Sequence, residues 1–284
     1  MIPSAFDYLK PSTVEDAVAA LAEAGEEAKV LAGGQSLLAV LRLRLAAPSL
    51  LVDLGGLDQL RGIRIDGDQL AIGAMTTHAE VASSAEVRAA APLLALATTT
   101  VGDRQVRNRG TLGGSLSHAD PAGDLPTVLV ALDGTCVVAG PDGRREVAAR
   151  DFFQGLFTTA LTPQDVLVEV RLPRLSGWGV HYEKFQRAAQ AWATVGVAAA
   201  VRRENGSIAE ARVALTNMGP TPVRASAVEA ALVGAPASAE AVASAAANAG
   251  EGTQPVSDLA ASAEYRTHLA QVLTRRAIST AAGL

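Results

Sequence analysis

Two glycine pairs set beside hydroxyl side chains are the residues of this 284-residue chain best suited to chemistry. They are Ala32-Gly33-Gly34-Gln35-Ser36-Leu37 and, well downstream, Thr111-Leu112-Gly113-Gly114-Ser115. Glycine has no Cβ, so backbone N–H groups at such positions approach an oxyanion closely, and the neighbouring hydroxyls add donors. Two such turns can clamp one extended, phosphate-bearing ligand. A single glycine pair is equally well a plain strand-to-helix turn; the recurrence favours a ligand. Neither segment is the dinucleotide fingerprint G-x-G-x-x-G, because Gly33 and Gly34 are adjacent, and neither is a Walker A loop, because no Gly-Lys-Ser/Thr follows.

Other chemistry is sparse. Cys136 is the only thiol, so the chain builds no disulfide, Cys-ligated metal site or iron-sulfur cluster from its own residues. In Thr135-Cys136-Val137-Val138 it reads as a small core residue. His118 and Asp120 have the spacing of two ligands on one strand, but a metal needs a further partner and no other His is placed to supply it. No metal site is expected, and no acid, base or nucleophile stands out as catalytic. Arg107 and Arg109 either pair with acidic neighbours or face a partner.

The elements that must position the turns follow from pattern. Ser12-Thr13 precedes a short amphipathic helix (Val14, Ala17, Val18, Leu21) that stops at Gly25. Lys29-Val30-Leu31 is a strand emptying into Gly33-Gly34, and Ser36 is expected to cap a helix running to Leu45, so the first turn meets a helix N-terminus. Residues 50–54 read as a strand, 63–72 as a hairpin around Asp66-Gly67, and 77–82 and 86–100 as helices. Gly102 to Gly110 shows no period and reads as a long structured loop. Asp124 opens an apolar helix to about Leu132; a hairpin around Asp142-Gly143 and a strand at 166–172 follow. Leu172-Pro173-Arg174-Leu175-Ser176-Gly177 marks a boundary. Beyond it come strands at 180–187, 193–203 and 207–218 and Ala-rich helices at 222–233, 238–248 and 257–281, a small α+β unit.

The composition, 49% hydrophobic with a net charge of -5, describes a folded protein with a sizeable core and no basic footprint for nucleic acid. The start of the chain lacks the charged and apolar regions of a signal peptide, and no apolar stretch is long enough to span a bilayer. The cytoplasm is the expected compartment, with any membrane association reached through a complex.

The stretch from Arg104 to Pro126, together with Ala32-Gly33-Gly34-Gln35-Ser36-Leu37, closely resembles the FAD-binding medium subunits of the molybdenum hydroxylases, among them carbon monoxide dehydrogenase, xanthine dehydrogenase and the bacterial N-heterocycle and nicotine dehydrogenases. The resemblance spans nearly the whole chain; the carbon monoxide enzymes more often have His in place of Gln35. It implies an α+β fold: a two-part FAD-binding domain of the vanillyl-alcohol-oxidase (PCMH) type over 1–175, with subdomains of about 1–55 and 56–175, then a C-terminal domain over 178–284.

By the same resemblance, Ala32, Gly33, Gly34, Gln35, Ser36 and Leu37 wrap the FAD pyrophosphate and ribityl chain with Thr111, Gly113, Gly114 and Ser115, mainly through backbone N–H groups. Asp124 hydrogen-bonds the cofactor's polar chain, or caps the helix that follows it. Val101 and Leu161 give apolar contacts to the rings. Lys184 reaches the flavin from the second domain, where a cation favours the reduced cofactor and raises its potential. Trp192 lies near the flavin, and His118 borders its pocket.

The implied role is electron transfer. Partner chains hold the molybdenum cofactor (large subunit) and two iron-sulfur clusters (small subunit), and FAD hands electrons to a terminal acceptor, the whole a dimer of heterotrimers. The alternatives are a self-sufficient flavin oxidase of the vanillyl-alcohol type and a non-redox nucleotide-binding protein. The first would need its own substrate pocket; the second would bind no yellow chromophore.

Overall fold

The computed structural model describes residues 2–284. The chain opens with strand β1 (Asp7–Leu9), helix α1 (Val14–Ala24), β2 (Ala28–Leu31), α2 (Leu37–Arg42) and β3 (Leu50–Asp53). Thr13 and Asp16 close a reciprocal capping box at the start of α1, satisfying two of the donors a helix N-terminus leaves open. The strands form a parallel sheet in the order β1-β3-β2, and α2 is the crossover that parallel pairing of β2 and β3 demands. Ser36 does not cap α2: its own backbone is helical and its side chain makes no cap bond. Nor does α2 reach Leu45, because Arg44 turns left-handed at φ 56°.

Next come β4 (Ile63–Asp66), β5 (Gln69–Gly73), α3 (His78–Ser83), α4 (Ala85–Ala90), α5 (Pro92–Thr99), α6 (Arg104–Arg109), α7 (Leu112–His118) and α8 (Asp124–Ala131). After them follow β6 (Thr135–Gly140), β7 (Gly143–Ala148), the short α9 (Ala149–Phe152), a small hairpin of β8 (Phe153–Gly155) and β9 (Thr158–Thr159), and β10 (Val166–Pro173). Five strands make an antiparallel sheet in the order β4-β5-β10-β6-β7. One face (Leu70, Ile72, Cys136, Val138, Val170, Leu172) packs on the helices. The other (Val137, Ala139, Val166, Val168) packs on α1 and the first sheet.

Two expectations fail here for local reasons. Residues 86–100 are two helices, because Pro92 lacks the N–H an interior position needs and instead starts α5 at its first turn. The expected loop at 102–110 contains α6, capped by Asp103, whose carboxylate accepts from Val106 N at 2.8 Å. No residue of α6 is buried, so it shows no hydrophobic period. His118 likewise ends α7 ahead of Ala119 in the left-handed region (φ 48°), so it and Asp120 are not two positions on one strand.

Cys136 is fully buried, and burial pushes its thiol up to about 12. A maleimide applied to the native protein at pH 8 should leave it unmodified while labelling it in denaturant; rapid labelling of the folded chain would contradict this burial.

The remaining chain forms an antiparallel sheet, β11 (Gly179–Phe185), β12 (Val195–Glu204), β13 (Ser207–Thr216) and β14 (Val223–Arg224), with α10 (Ser226–Leu232), α11 (Ala239–Ala246) and α12 (Ala263–Ala282). Its two faces do different work. Val195, Val197, Ala199 and Val201 pack with α12, whereas Ala198, Ala200, Ala214 and Tyr182 join the core built by α5 and α8. Small side chains on that second face let the sheet close on those helices. Arg212 and Arg224 reach the C-terminal end of α8, where Arg224 Nη1 donates to Val130 O at 3.1 Å and to Asp133 Oδ1 at 2.8 Å. No helix among the described residues is long and apolar enough to cross a membrane.

Candidate functional site: two apposed glycine turns

The two glycine turns lie against each other. A Cβ added to Gly33 would collide with the Arg109 carbonyl and come within 2.8 Å of Gly110 Cα; one added to Gly114 would sit 3.5 Å from Ala32 Cβ. Only glycine permits this approach at Gly33, because the atoms it would strike are backbone.

The second turn is seated on a short strap, Ala74 to His78, that leads from β5 into the start of α3 and that sequence reasoning missed. Gly113 N donates to Ala74 O (2.8 Å), Leu112 N to Thr76 O (3.0 Å) and His78 N to Gly110 O (2.9 Å). Thr111 caps α7 by accepting from Gly114 N at 3.1 Å, and its carbonyl accepts from Ser115 N at 3.0 Å. The N–H groups of Leu112 to Ser115 are therefore spent within the chain. What Gly113 offers is closeness: an added Cβ would lie 2.5 Å from Ala74 Cβ.

The first turn is the opposite case. Among the described residues, the N–H groups of Gly33, Gly34, Gln35 and Ser36 donate to no acceptor of the chain. Gly34 holds φ 75°, and Gly33, Gly34 and Ser36 are half-buried. Sheltered N–H groups are nearly always paired, so a run of open ones in a turn without side-chain cover is a nest for an oxyanion. These residues fit a diphosphate without a lysine, the donor set that a flavin dinucleotide requires.

Asp124 is the first residue of α8, behind the cap Gly123, and its carboxylate does not cap the helix. It faces the C-terminal sheet instead. Tyr182 donates to Oδ1 at 2.7 Å and Lys184 Nζ to Oδ2 at 2.7 Å; Lys184 also donates to Thr100 O at 3.0 Å. The chain of bonds continues from Tyr182 to Thr216 (3.1 Å) and from Thr216 to Thr127 (2.7 Å). The Lys184 and Asp124 side chains are 5% and 3% exposed, so the pair is buried where α8, β11 and the end of α5 meet. Burial raises the Asp124 carboxyl against the pull of Lys184, and burial next to Asp124 holds the Tyr182 hydroxyl well above its ordinary range. Thr100 and Tyr182 carried no motif in the sequence; only the fold brings them here.

Lys184 thus sits beside Thr100-Val101, and both Val101 and Leu161 are partly buried against the main core. Arg107 makes no ion pair among the described residues; it donates to Val101 O at 2.9 Å, on the edge of the same region. The His118 ring lies 5.2 Å from Phe157 and 6.4 Å from Trp192. Phe157 and Trp192, with Asp120 and Asn217, line a cleft of about 680 Å³, whereas His118 is not among its lining residues. Trp192 is 54% exposed. Phe157, unmarked in the sequence, holds φ 53° at the tip of the β8–β9 hairpin. His118 Nε2 lies 3.8 Å from Asp120 Oδ2.

The family described as the FAD binding domain in molybdopterin dehydrogenase matches residues 4–175, and the CO dehydrogenase flavoprotein C-terminal domain matches 180–281. The chain is 42% identical over 282 residues to the carbon monoxide dehydrogenase medium chain of Hydrogenophaga pseudoflava, covering 99% of this chain and 98% of the relative. It is 35% identical over 286 residues to caffeine dehydrogenase subunit beta of Pseudomonas sp. strain CBB1, covering 99% and 96%. The solved carbon monoxide dehydrogenase from Hydrogenophaga pseudoflava that lacks the Mo-pyranopterin moiety matches with a TM-score of 0.97 at 44% identity, covering 99% of this chain and 98% of that one. Quinoline 2-oxidoreductase from Pseudomonas putida 86 matches at 0.95 and 35%, covering 100% and 99%. The apposed glycine turns, the fold that carries them and these matches agree: the chain belongs to the family of FAD-binding medium subunits of the molybdenum hydroxylases.

Proposed function

We propose that this chain holds FAD between its two glycine turns and passes electrons from iron-sulfur clusters on a small partner subunit to a terminal acceptor, while a large partner subunit carries the molybdenum cofactor. When bound, FAD supplies a centre that takes up and gives out electrons. The observation that carries the reading is the run of open N–H groups at Gly33 to Ser36 pressed against the second turn.

In this reading residues 1–175 are the FAD-binding domain and 178–284 the C-terminal domain. The first turn, Ala32 to Leu37, provides the diphosphate nest and the Ser36 hydroxyl. The second contributes Thr111 and Ser115 hydroxyls and, at Gly113 and Gly114, a surface without side chains. Asp124 anchors Lys184, whose ammonium adds positive charge beside the flavin; Val101 and Leu161 pack on its rings, and His118 and Trp192 border it. The assembly is a dimer of heterotrimers working in the cytoplasm. The flavin edge and the α6 segment between the turns face the small subunit, since electron transfer needs short separations.

The reacting substrate is chosen by another chain. Relatives that share this architecture at 34–42% identity belong to enzymes named for carbon monoxide, caffeine and glyceraldehyde.

The absorption spectrum is the test. The protein, purified with its partners or supplied with FAD, should show flavin bands, and an organic donor should not bleach them without the partner subunits. A chain without flavin bands after FAD is added sinks the reading; bleaching by a donor with this chain alone identifies a self-sufficient oxidase.

A further inference from the structure

His78 lies under the second glycine turn with no role in the site so far described. Its backbone N–H donates to Gly110 O, and its ring presses on Gly110 so closely that a Cβ there would come 2.8 Å from the imidazole Cδ2 and 3.0 Å from Nε2. Gly110 Cα in turn lies 2.8 Å from where a Cβ on Gly33 would stand. The Gly110 backbone therefore lies against both the imidazole and the first turn. His78 is 4% exposed, and its Nδ1 is buried without a hydrogen-bond partner. A buried polar atom left unpaired costs about 1–3 kcal/mol, more than an apolar side chain would at the same place.

We propose that His78 is a positioning residue of the FAD site: its neutral ring sets the height of Gly110 and so the gap between the two turns. The inference rests on the FAD reading above.

The surroundings give the ring one stable form. Burial, joined by the Arg107 guanidinium on α6, lowers His78 to about 4. On α3 itself the Glu80 carboxylate is committed to Thr77, accepting from N and Oγ1 at 2.7 Å each. Arg88 of α4 donates to Ala82 O at the far end of α3, and α5 presents Leu93, Leu94 and Ala97. An added proton therefore finds no acceptor and meets a guanidinium. Because the folded value lies below the ordinary 6.5, the neutral form is favoured throughout the window between them: no penalty above pH 6.5, a growing one as pH falls toward 4.

The test compares FAD affinity of the complex at pH 7.5 for the native chain, H78Q and H78A, reading free flavin by absorbance after filtration. H78Q, which keeps a neutral planar group against Gly110, should bind within about threefold of native, whereas H78A, without a ring, should bind at least about tenfold more weakly. Native affinity in H78A, or a tenfold loss in H78Q, overturns the proposal while leaving FAD binding intact; no FAD at pH 7.5 in the native complex overturns the FAD reading and the proposal with it. Should H78A fail to fold, H78Q alone decides by the same threefold and tenfold limits.

Discussion

Replacing Gly33 and Gly114 together by valine should abolish FAD retention while leaving the far-UV spectrum nearly native. A side chain at Gly33 strikes the Arg109 carbonyl and Gly110 Cα, so the first turn is driven off the second. A side chain at Gly114 meets Thr111 Oγ1 at 2.7 Å and displaces the hydroxyl that caps α7. Neither glycine belongs to the three hydrophobic clusters, so the core is untouched. Gly33→Ala alone should cost about 2 kcal/mol of binding, roughly thirtyfold, in the range of other overpacking substitutions. Full flavin occupancy in the double variant would refute the clamp.

The second large effect is at Lys184. Lys184→Met strips the counter-charge from a carboxylate that is 3% exposed, and removing one partner of a buried pair typically destabilises by about 3–5 kcal/mol. Asp124→Asn in the same chain should return much of that loss, because no uncompensated charge remains. The pH dependence has a definite sign. Burial already raises the Asp124 carboxyl, and without Lys184 only the Tyr182 hydrogen bond opposes it. A carboxyl whose folded value lies above its unfolded one gives full stability below the unfolded value and loses it as pH rises. The single variant should therefore gain on the native chain as pH falls from 7 to 5, read by denaturant unfolding. The same substitution should lower the flavin potential; an unchanged potential would remove the lysine from the cofactor's surroundings.

What the sequence could reveal followed from where side chains face. The hairpins at Asp66-Gly67 and Asp142-Gly143, the strand before Gly33 and the helix after Asp124 were legible because turn chemistry and period coincide there. α6 was not, since a helix that buries nothing has no apolar stripe, although Asp103 marked its start. The glycine pairs announced a ligand but not the division of labour between them. That the second turn spends its N–H groups on Ala74, Thr76 and Thr111 depends on a strap thirty-odd residues upstream with no motif of its own. Tyr182, Thr100 and His78 were invisible for the same reason: each acts through a long-range contact that ordinary residue types make.

Hydrogen exchange at the first turn tests the central claim most directly. The N–H groups of Gly33 to Ser36 have no partner in the chain, so they should exchange rapidly without cofactor and slow by at least about a hundredfold when FAD is added, with the already bonded amides of Leu112 to Ser115 changing far less. Flavin binding that leaves the exchange of residues 33–36 unchanged would place the dinucleotide elsewhere and contradict the account.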